Sequence, residues 1–131
     1  MILLDTYAVL RLALEPERLS KAATRAIAKA EVSDGVAIAS ITLWEIALLI
    51  DRREVIVPVS TEEFLLAVCA RPGLRVLDLS PQVAALSTQF PPGFPKDPAD
   101  RIIAATARAH DLPLVTRDQR LLDSPLLRTV W

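Results

Sequence analysis

Short apolar runs alternate along the chain with longer amphipathic stretches, and turn residues separate them. Ile2-Leu3-Leu4 reads as a strand ending at Asp5, and Val9, Leu10, Leu12 and Leu14 predict a helix behind it that stops near Pro16. From Glu17 to Val32 an alanine-rich segment carries Leu19, Ala22, Ala23, Ala26, Ile27 and Ala30 on one side and Lys21, Arg25 and Lys29 on another. That spacing predicts an amphipathic helix with a basic stripe. Asp34-Gly35 turns the chain into a second strand, Val36 to Ala39, and Ser40 or Thr42 can cap a helix continuing to about Arg52. A helix over Ser60 to Ala70, stopped by Arg71-Pro72-Gly73, leads to a third strand over Leu74 to Leu79. Ser80-Pro81 begins a short helix to about Phe90, the proline-rich run 91–95 forms a stiff loop, and Asp97-Pro98 opens a helix running to His110. Leu114-Val115-Thr116 is a fourth strand, and Arg128 to Trp131 is a candidate fifth. Strands alternating with helices predict an α/β fold, a three-layer α/β/α sandwich around a mainly parallel sheet of four to five strands.

Composition narrows the class. At 131 residues the chain has the size of one domain, and a division would leave neither half a comfortable core, so residues 1–131 are read as a single unit. An apolar fraction of 52% and a mean hydropathy of +0.36 exclude intrinsic disorder. With 15 Lys plus Arg against 16 Asp plus Glu, net charge gives no overall attraction for nucleic acid or anionic lipid, so any such partner must be held by local charge. The single cysteine, Cys69, and the single histidine, His110, exclude an intramolecular disulfide and a tetrahedral Cys/His zinc site. Cys69 is expected as small buried filler among Leu65, Leu66 and Val68, and His110 at a helix end. The start of the chain lacks a basic leader, and Val36 to Ile50, the longest apolar stretch, is too short for a bilayer and carries Glu45. These features predict a cytoplasmic protein with no membrane partner.

The glycines Gly35, Gly73 and Gly93 are too scattered for a phosphate-cradling loop, no nucleophile-elbow pattern accompanies His110, and one histidine cannot run a two-histidine ribonuclease mechanism. What remains is a set of acids in unusual places. Asp5 follows the first strand, Glu45 lies in the first turns after the second, Asp100 in a helix's first turn, and Asp118 just after Val115-Thr116. The carboxyl ends of strands in an open parallel sheet share one edge, where ligands collect, so these carboxylates can converge. Two unit charges about 4 Å apart interact by roughly 4 kcal/mol at an intermediate dielectric, and a divalent cation would resolve that conflict. All-oxygen ligation favours Mg2+ or Mn2+, one or two ions, and phosphodiester hydrolysis by activated water. Each acid also has a structural reading: Thr42-x-x-Glu45 matches a capping box, Asp97-Pro98-Ala99-Asp100 a capped helix start, and Asp5 and Asp118 can be cap or turn residues. Spacing alone leaves both readings open.

Around these acids the sequence resembles the PIN-domain ribonucleases, especially the VapC-type toxins of prokaryotic toxin–antitoxin pairs. The resemblance covers nearly the whole chain through Leu3-Leu4-Asp5-Thr6, the segment 40–47 ending Trp44-Glu45-Ile46-Ala47, the segment 97–107 beginning Asp97-Pro98-Ala99-Asp100-Arg101, and Leu114-Val115-Thr116-Arg117-Asp118. It implies that Asp5, Glu45, Asp100 and Asp118 are catalytic metal ligands, with Thr6 and Thr116 as hydroxyl neighbours that orient water or a carboxylate. Asp97 is aligned as a helix cap beside them. Similar chains often carry histidine and phenylalanine where Pro95 and Ala99 stand here, so the loop before the helix departs from the pattern.

Setting the four acids aside leaves 12 acids against 15 bases, which makes RNA contact plausible around an acidic centre. Lys96, Arg101 and Arg117 are the nearest candidates for phosphate contacts, and Lys21, Arg25 and Lys29 are read first as the solvated face of a helix. Leu43, Trp44, Ile46, Leu48, Leu49, Ile50, Phe64, Leu65 and Leu66 exceed what one helix face needs, so some can form a groove. The resemblance implies a growth-inhibiting toxin that hydrolyses RNA, a cognate antitoxin packing across such helices, and a homodimer or toxin–antitoxin hetero-oligomer. Two other readings stand beside it: a non-catalytic PIN-like RNA-binding or scaffold domain, and a metal-dependent phosphatase.

Overall fold

A computed structural model describes all 131 residues. Five strands form one sheet: β1 (Ile2–Leu4), β2 (Val36–Ala39), β3 (Leu74–Leu77), β4 (Leu114–Val115) and β5 (Thr129–Val130). Their order is β3-β2-β1-β4-β5, and every neighbouring pair is parallel. Seven helices connect them: α1 (Thr6–Leu14), α2 (Lys21–Glu31), α3 (Ser40–Asp51), α4 (Thr61–Cys69), α5 (Pro81–Ser87), α6 (Pro98–Ala109) and α7 (Gln119–Leu122). None is long and apolar enough to cross a membrane.

Period-two alternation in the strands builds the three layers. Ile2, Leu4, Val36, Ile38 and Val115 enter a core with α1, α2 and α4, whereas Leu3, Ala37, Ala39 and Leu114 enter a second core with α5, α6 and α7. Leu3, Leu4, Ile38, Leu114 and Val115 are fully buried, the mark of strands covered on both faces. The turn into β2 depends on Gly35, whose φ is +98° and where an added Cβ would meet the Gly73 carbonyl oxygen at 2.8 Å.

Local chemistry explains where the observed elements depart from the periodicity. The predicted helix over Glu17 to Val32 is broken: Pro16–Arg18 form a short 3-10 turn, and Ser20 caps α2 by accepting from the Ala23 amide at 3.0 Å. Neither Ser40 nor Thr42 caps α3, whose cap position is Ala39. Ser40 Oγ instead accepts from the Leu79 amide at 3.1 Å, and Thr42 is buried inside the fold. Cys69 is exposed rather than buried, because Phe64 and Val68 are the residues of α4 that face the core. Ala22 is likewise outside the buried face of α2, which consists of Ala23, Ile27 and Ala30. The long apolar set on α3 and α4 is divided too: Ile46 and Phe64 are core, whereas Trp44 and Leu66 are 57% and 62% exposed.

Candidate active site

Strands β1, β2 and β4 end at a common edge, and the segments leaving it carry Asp5, Glu45 and Asp118. Helix α6 starts at the same place and brings Asp100 in its first turn. Together they line a cleft of about 360 Å³ with Thr6 and Asp97 on its wall and Tyr7, Arg117 and Arg120 at its rim.

Asp5 is buried and caps α1, its Oδ1 accepting from the Ala8 amide at 2.7 Å. Burial raises its pKa to about 6, and the charges of Glu45 and Asp118 push the same way, while bonds from Thr116 and Ala8 oppose them. Thr6 is the next residue and points across the cleft. Its hydroxyl donates to Glu45 Oε1, and a further bond at 3.3 Å joins the Thr6 and Thr42 hydroxyls. Thr42 therefore stands one helical turn before Glu45 as part of its support, and the capping box suggested by Thr42-x-x-Glu45 does not form. Glu45 is half-buried, and desolvation raises its pKa, helped by the Asp97 charge and opposed by Thr6.

Asp97 caps α6 through a bond from the Asp100 amide to Oδ1 at 3.1 Å, which Pro98 supports with a φ already suited to the first helical position. The same cap carries a second consequence. Carboxylate oxygens of Glu45, Asp97 and Asp100 approach one another within 4.8 Å, so Asp97 is both a cap and part of the acidic cluster. Asp100 has its pKa raised to about 7, by desolvation first and then by the charges of Asp97, Glu45 and Asp118.

Asp118 stands on the wetter side. Its amide donates to Thr116 Oγ1 at 3.1 Å, and its Oδ1 accepts from the Arg120 amide at 2.9 Å, capping α7. The Arg120 guanidinium grips both carboxylate oxygens, at 3.1 Å from Nε to Oδ1 and 2.8 Å from Nη2 to Oδ2, and holds the Asp118 pKa below its ordinary value. Arg120 also lies 3.5 Å from Asp100 Oδ2, bridging two of the sequence-predicted acids.

All four predicted acids and Thr6 thus line one cleft, and Thr116 is fully buried behind it, bonded to the Asp118 amide. Of the three cations predicted to touch phosphate, only Arg117 joins them. Arg117 is at the rim, but Lys96 and Arg101 border a separate groove with Ser87 and Thr88. Arg101 also spends donors on the loop before α6, with Nε 2.7 Å from the Pro95 carbonyl oxygen. Sequence reasoning missed Arg120, Tyr7 and the double role of Asp97. An arginine in a four-residue helix and a tyrosine in an amphipathic one carry no signal of their own; the adjacency of Asp97 to Asp100 was the one visible hint.

The donor set is entirely carboxylate oxygen, which suits a hard divalent cation. Burial and mutual repulsion leave its charge poorly compensated, the imbalance a cation would offset. The residues present therefore fit such an ion.

Residues 2–125 match the PIN domain family. The chain is 37% identical over 132 aligned positions to Ribonuclease VapC22 of Mycobacterium tuberculosis, covering 99% of this chain and 98% of that protein. The fold is similar to the VapBC2 complex of Rickettsia felis bound to a promoter DNA fragment, with a TM-score of 0.73, 19% identity and coverage of 98% and 97% of the two chains. FitAcB from Neisseria gonorrhoeae aligns with a TM-score of 0.62 and 27% identity over 91% of this chain and 88% of that one.

Proposed function

The chain belongs to the PIN-domain family, and on that premise we propose that it is a divalent-metal-dependent ribonuclease acting as the toxin of a toxin–antitoxin pair. The observation that carries this reading is the convergence of Asp5, Glu45, Asp100 and Asp118, from four separate segments, on one cleft. The substrate class is RNA, the partner a cognate antitoxin protein in a hetero-oligomer, and the cofactor Mg2+ or Mn2+, one or two ions. A bound ion would neutralise charge at the phosphodiester and lower the pKa of water, so that it can lose a proton and act as the nucleophile.

The chain's own residues prepare that chemistry. Asp5, Glu45, Asp100 and Asp118 are the proposed ligands, with Asp97 close enough to Glu45 and Asp100 to accept from an ordered water. Thr6 fixes one Glu45 oxygen and leaves the other free of protein partners, available for the ion or for a water proton. Thr116 ties the two strand-end acids together, bonding the Asp5 carboxylate and the Asp118 amide. Water as nucleophile, with the 3′ oxygen as leaving group, puts the phosphate on the 5′ end of the downstream fragment and a free 3′ hydroxyl on the upstream one, with no serine or histidine intermediate required.

Cleavage of single-stranded and structured RNA by the purified, antitoxin-free chain, with and without chelator, tests the reading. Metal-dependent products with 5′-phosphate ends that disappear in Asp100→Asn are expected. Activity that survives chelation, or that survives Asp100→Asn, would defeat the metal-dependent assignment, and RNA binding with neither cleavage nor a magnesium-induced rise in melting temperature would return the chain to an RNA-binding scaffold role. Hydrolysis of small phosphate esters without cleavage of RNA would favour the phosphatase reading.

A further inference from the structure

Tyr7 and Arg117 stand at the rim of the acid cleft and have no part in the chemistry described above. Tyr7 is 49% exposed although it lies between buried Thr6 and buried Ala8. Its ring is held from two elements. Arg11, one helical turn along α1, has its guanidinium carbon 5.8 Å from the ring centroid, and Arg117, from the segment after β4, approaches to 4.8 Å. Arg11 is itself fixed by an ion pair with Glu15. An exposed aromatic ring is thereby presented in a defined orientation beside the first acid of the site, at little further entropic cost.

The two rim arginines differ in what they have left to offer. Arg120 is committed to Asp118 and Asp100. The Arg117 side chain makes no hydrogen bond or ion pair, even though it lines a cleft holding five carboxylates. Its donors are unspent, and its planar group lies against a ring. Tyr7 also borders a second, larger hollow of about 760 Å³ between α1 and the turn after α3, so a strand leaving the acid cleft passes this ring.

We propose that the Tyr7–Arg117 pair is a nucleotide subsite that stacks one unpaired base of the RNA next to the scissile phosphate, with Arg117 contacting the adjoining phosphate. This rests on the ribonuclease reading and specifies its substrate: the nucleotide at the cut must be single-stranded, because a base inside a helix has no free face for the ring. The ring supplies sequence-tolerant stacking, and the guanidinium supplies one phosphate contact.

The test measures binding rather than cleavage, using fluorescein-labelled RNA of eight nucleotides, a blunt duplex of the same sequence, and single-stranded versions with one abasic position moved along the chain. An Asp100→Asn background in magnesium keeps the RNA intact. Tyr7→Ala should weaken single-strand binding about 10-fold or more and leave the duplex unchanged. Tyr7→Phe should stay within about threefold of the parent, since stacking needs the ring and not the hydroxyl. Arg117→Ala should lower the slope of log affinity against log salt by about 0.7, one phosphate's share on a single strand. One abasic position should reproduce the Tyr7→Ala loss, and combining the two should add nothing. Equal losses for duplex and single strand, or none for either with melting temperature unchanged, would overturn the subsite. If metal-dependent cleavage persists while Tyr7→Ala binds normally, only the subsite fails; if no RNA is bound or cut, the ribonuclease reading fails with it.

Discussion

The loops after β1 and β4 are built alike and behave oppositely. The strands are parallel neighbours, with Leu4 paired to Val115, and each loop delivers an aspartate that caps the following helix and is tied to Thr116. Asp5 is buried without a cation, and its pKa rises to about 6. Asp118 is wetter and gripped by Arg120, and its pKa falls. The site thus has a dry side, where no basic side chain compensates the charge, and a wet side carrying an internal cation. Helix capping and metal ligation do not exclude each other, because a carboxylate that accepts one backbone bond still has lone pairs to offer.

The dry side should matter most for activity. Losing a residue that merely orients a metal ligand costs about 10- to 100-fold, so Asp5→Asn should reduce RNA cleavage by more than about 100-fold and Asp118→Asn by less. Initial rates at saturating magnesium measure this, and a larger loss at Asp118 would reverse the ranking of the two loops. Thr6→Val keeps the shape of a buried side chain but frees Glu45. A loss of roughly 10- to 100-fold with an unchanged melting temperature is expected, and a rate equal to the parent's would remove Thr6 from the site.

The pH dependence of stability sharpens the same contrast. In the metal-free protein Asp5 and Asp100 hold protons up to about pH 6 and 7, against an ordinary value of 3.8 that also describes the unfolded chain. Between those limits the folded state binds more protons, so stability is greatest toward pH 4 and is lost as pH rises through 7. Melting in chelator should therefore occur a few degrees higher at pH 5 than at pH 8, and Asp5→Asn should shrink the difference. The lowered pKa of Asp118 acts only below its ordinary value and does not offset this in the measured window. A melting temperature that climbs from pH 5 to pH 8 without metal would contradict the dry-side account.

The smallest effect belongs to the wet side. Arg120 is 63% exposed, so its attraction for the acids is well screened. Arg120→Gln should tighten Mn2+ binding only about two- to fivefold by calorimetry, the range of an exposed ion pair. Weaker Mn2+ binding in the variant would show that Arg120 supports the site rather than competing for it.

Much of this was legible along the chain. Short apolar runs marked the first four strands, and Ser60, Ser80 and Asp97 marked helix starts, because those features are encoded within a few residues. Ser40 and Thr42 were not legible: both are good capping residues, yet their hydroxyls bond to Leu79 and Thr6, 39 and 36 positions away. Cys69 misled for a related reason, since apolar neighbours in sequence occupy different faces of α4.

By itself the sequence determined the order of strands and helices, the two-sided burial of the central strands and the identity of the acids that can meet at the sheet's edge. Local propensity and alternation act over one or two turns, and these features need no longer reach. Only the tertiary structure decided that Asp97 joins the cluster, that Arg120 rather than Lys96 or Arg101 reaches it, and that Tyr7 is turned outward beside it. Such placements depend on which residues packing brings within a few ångströms, and that distance bears no relation to separation along the chain.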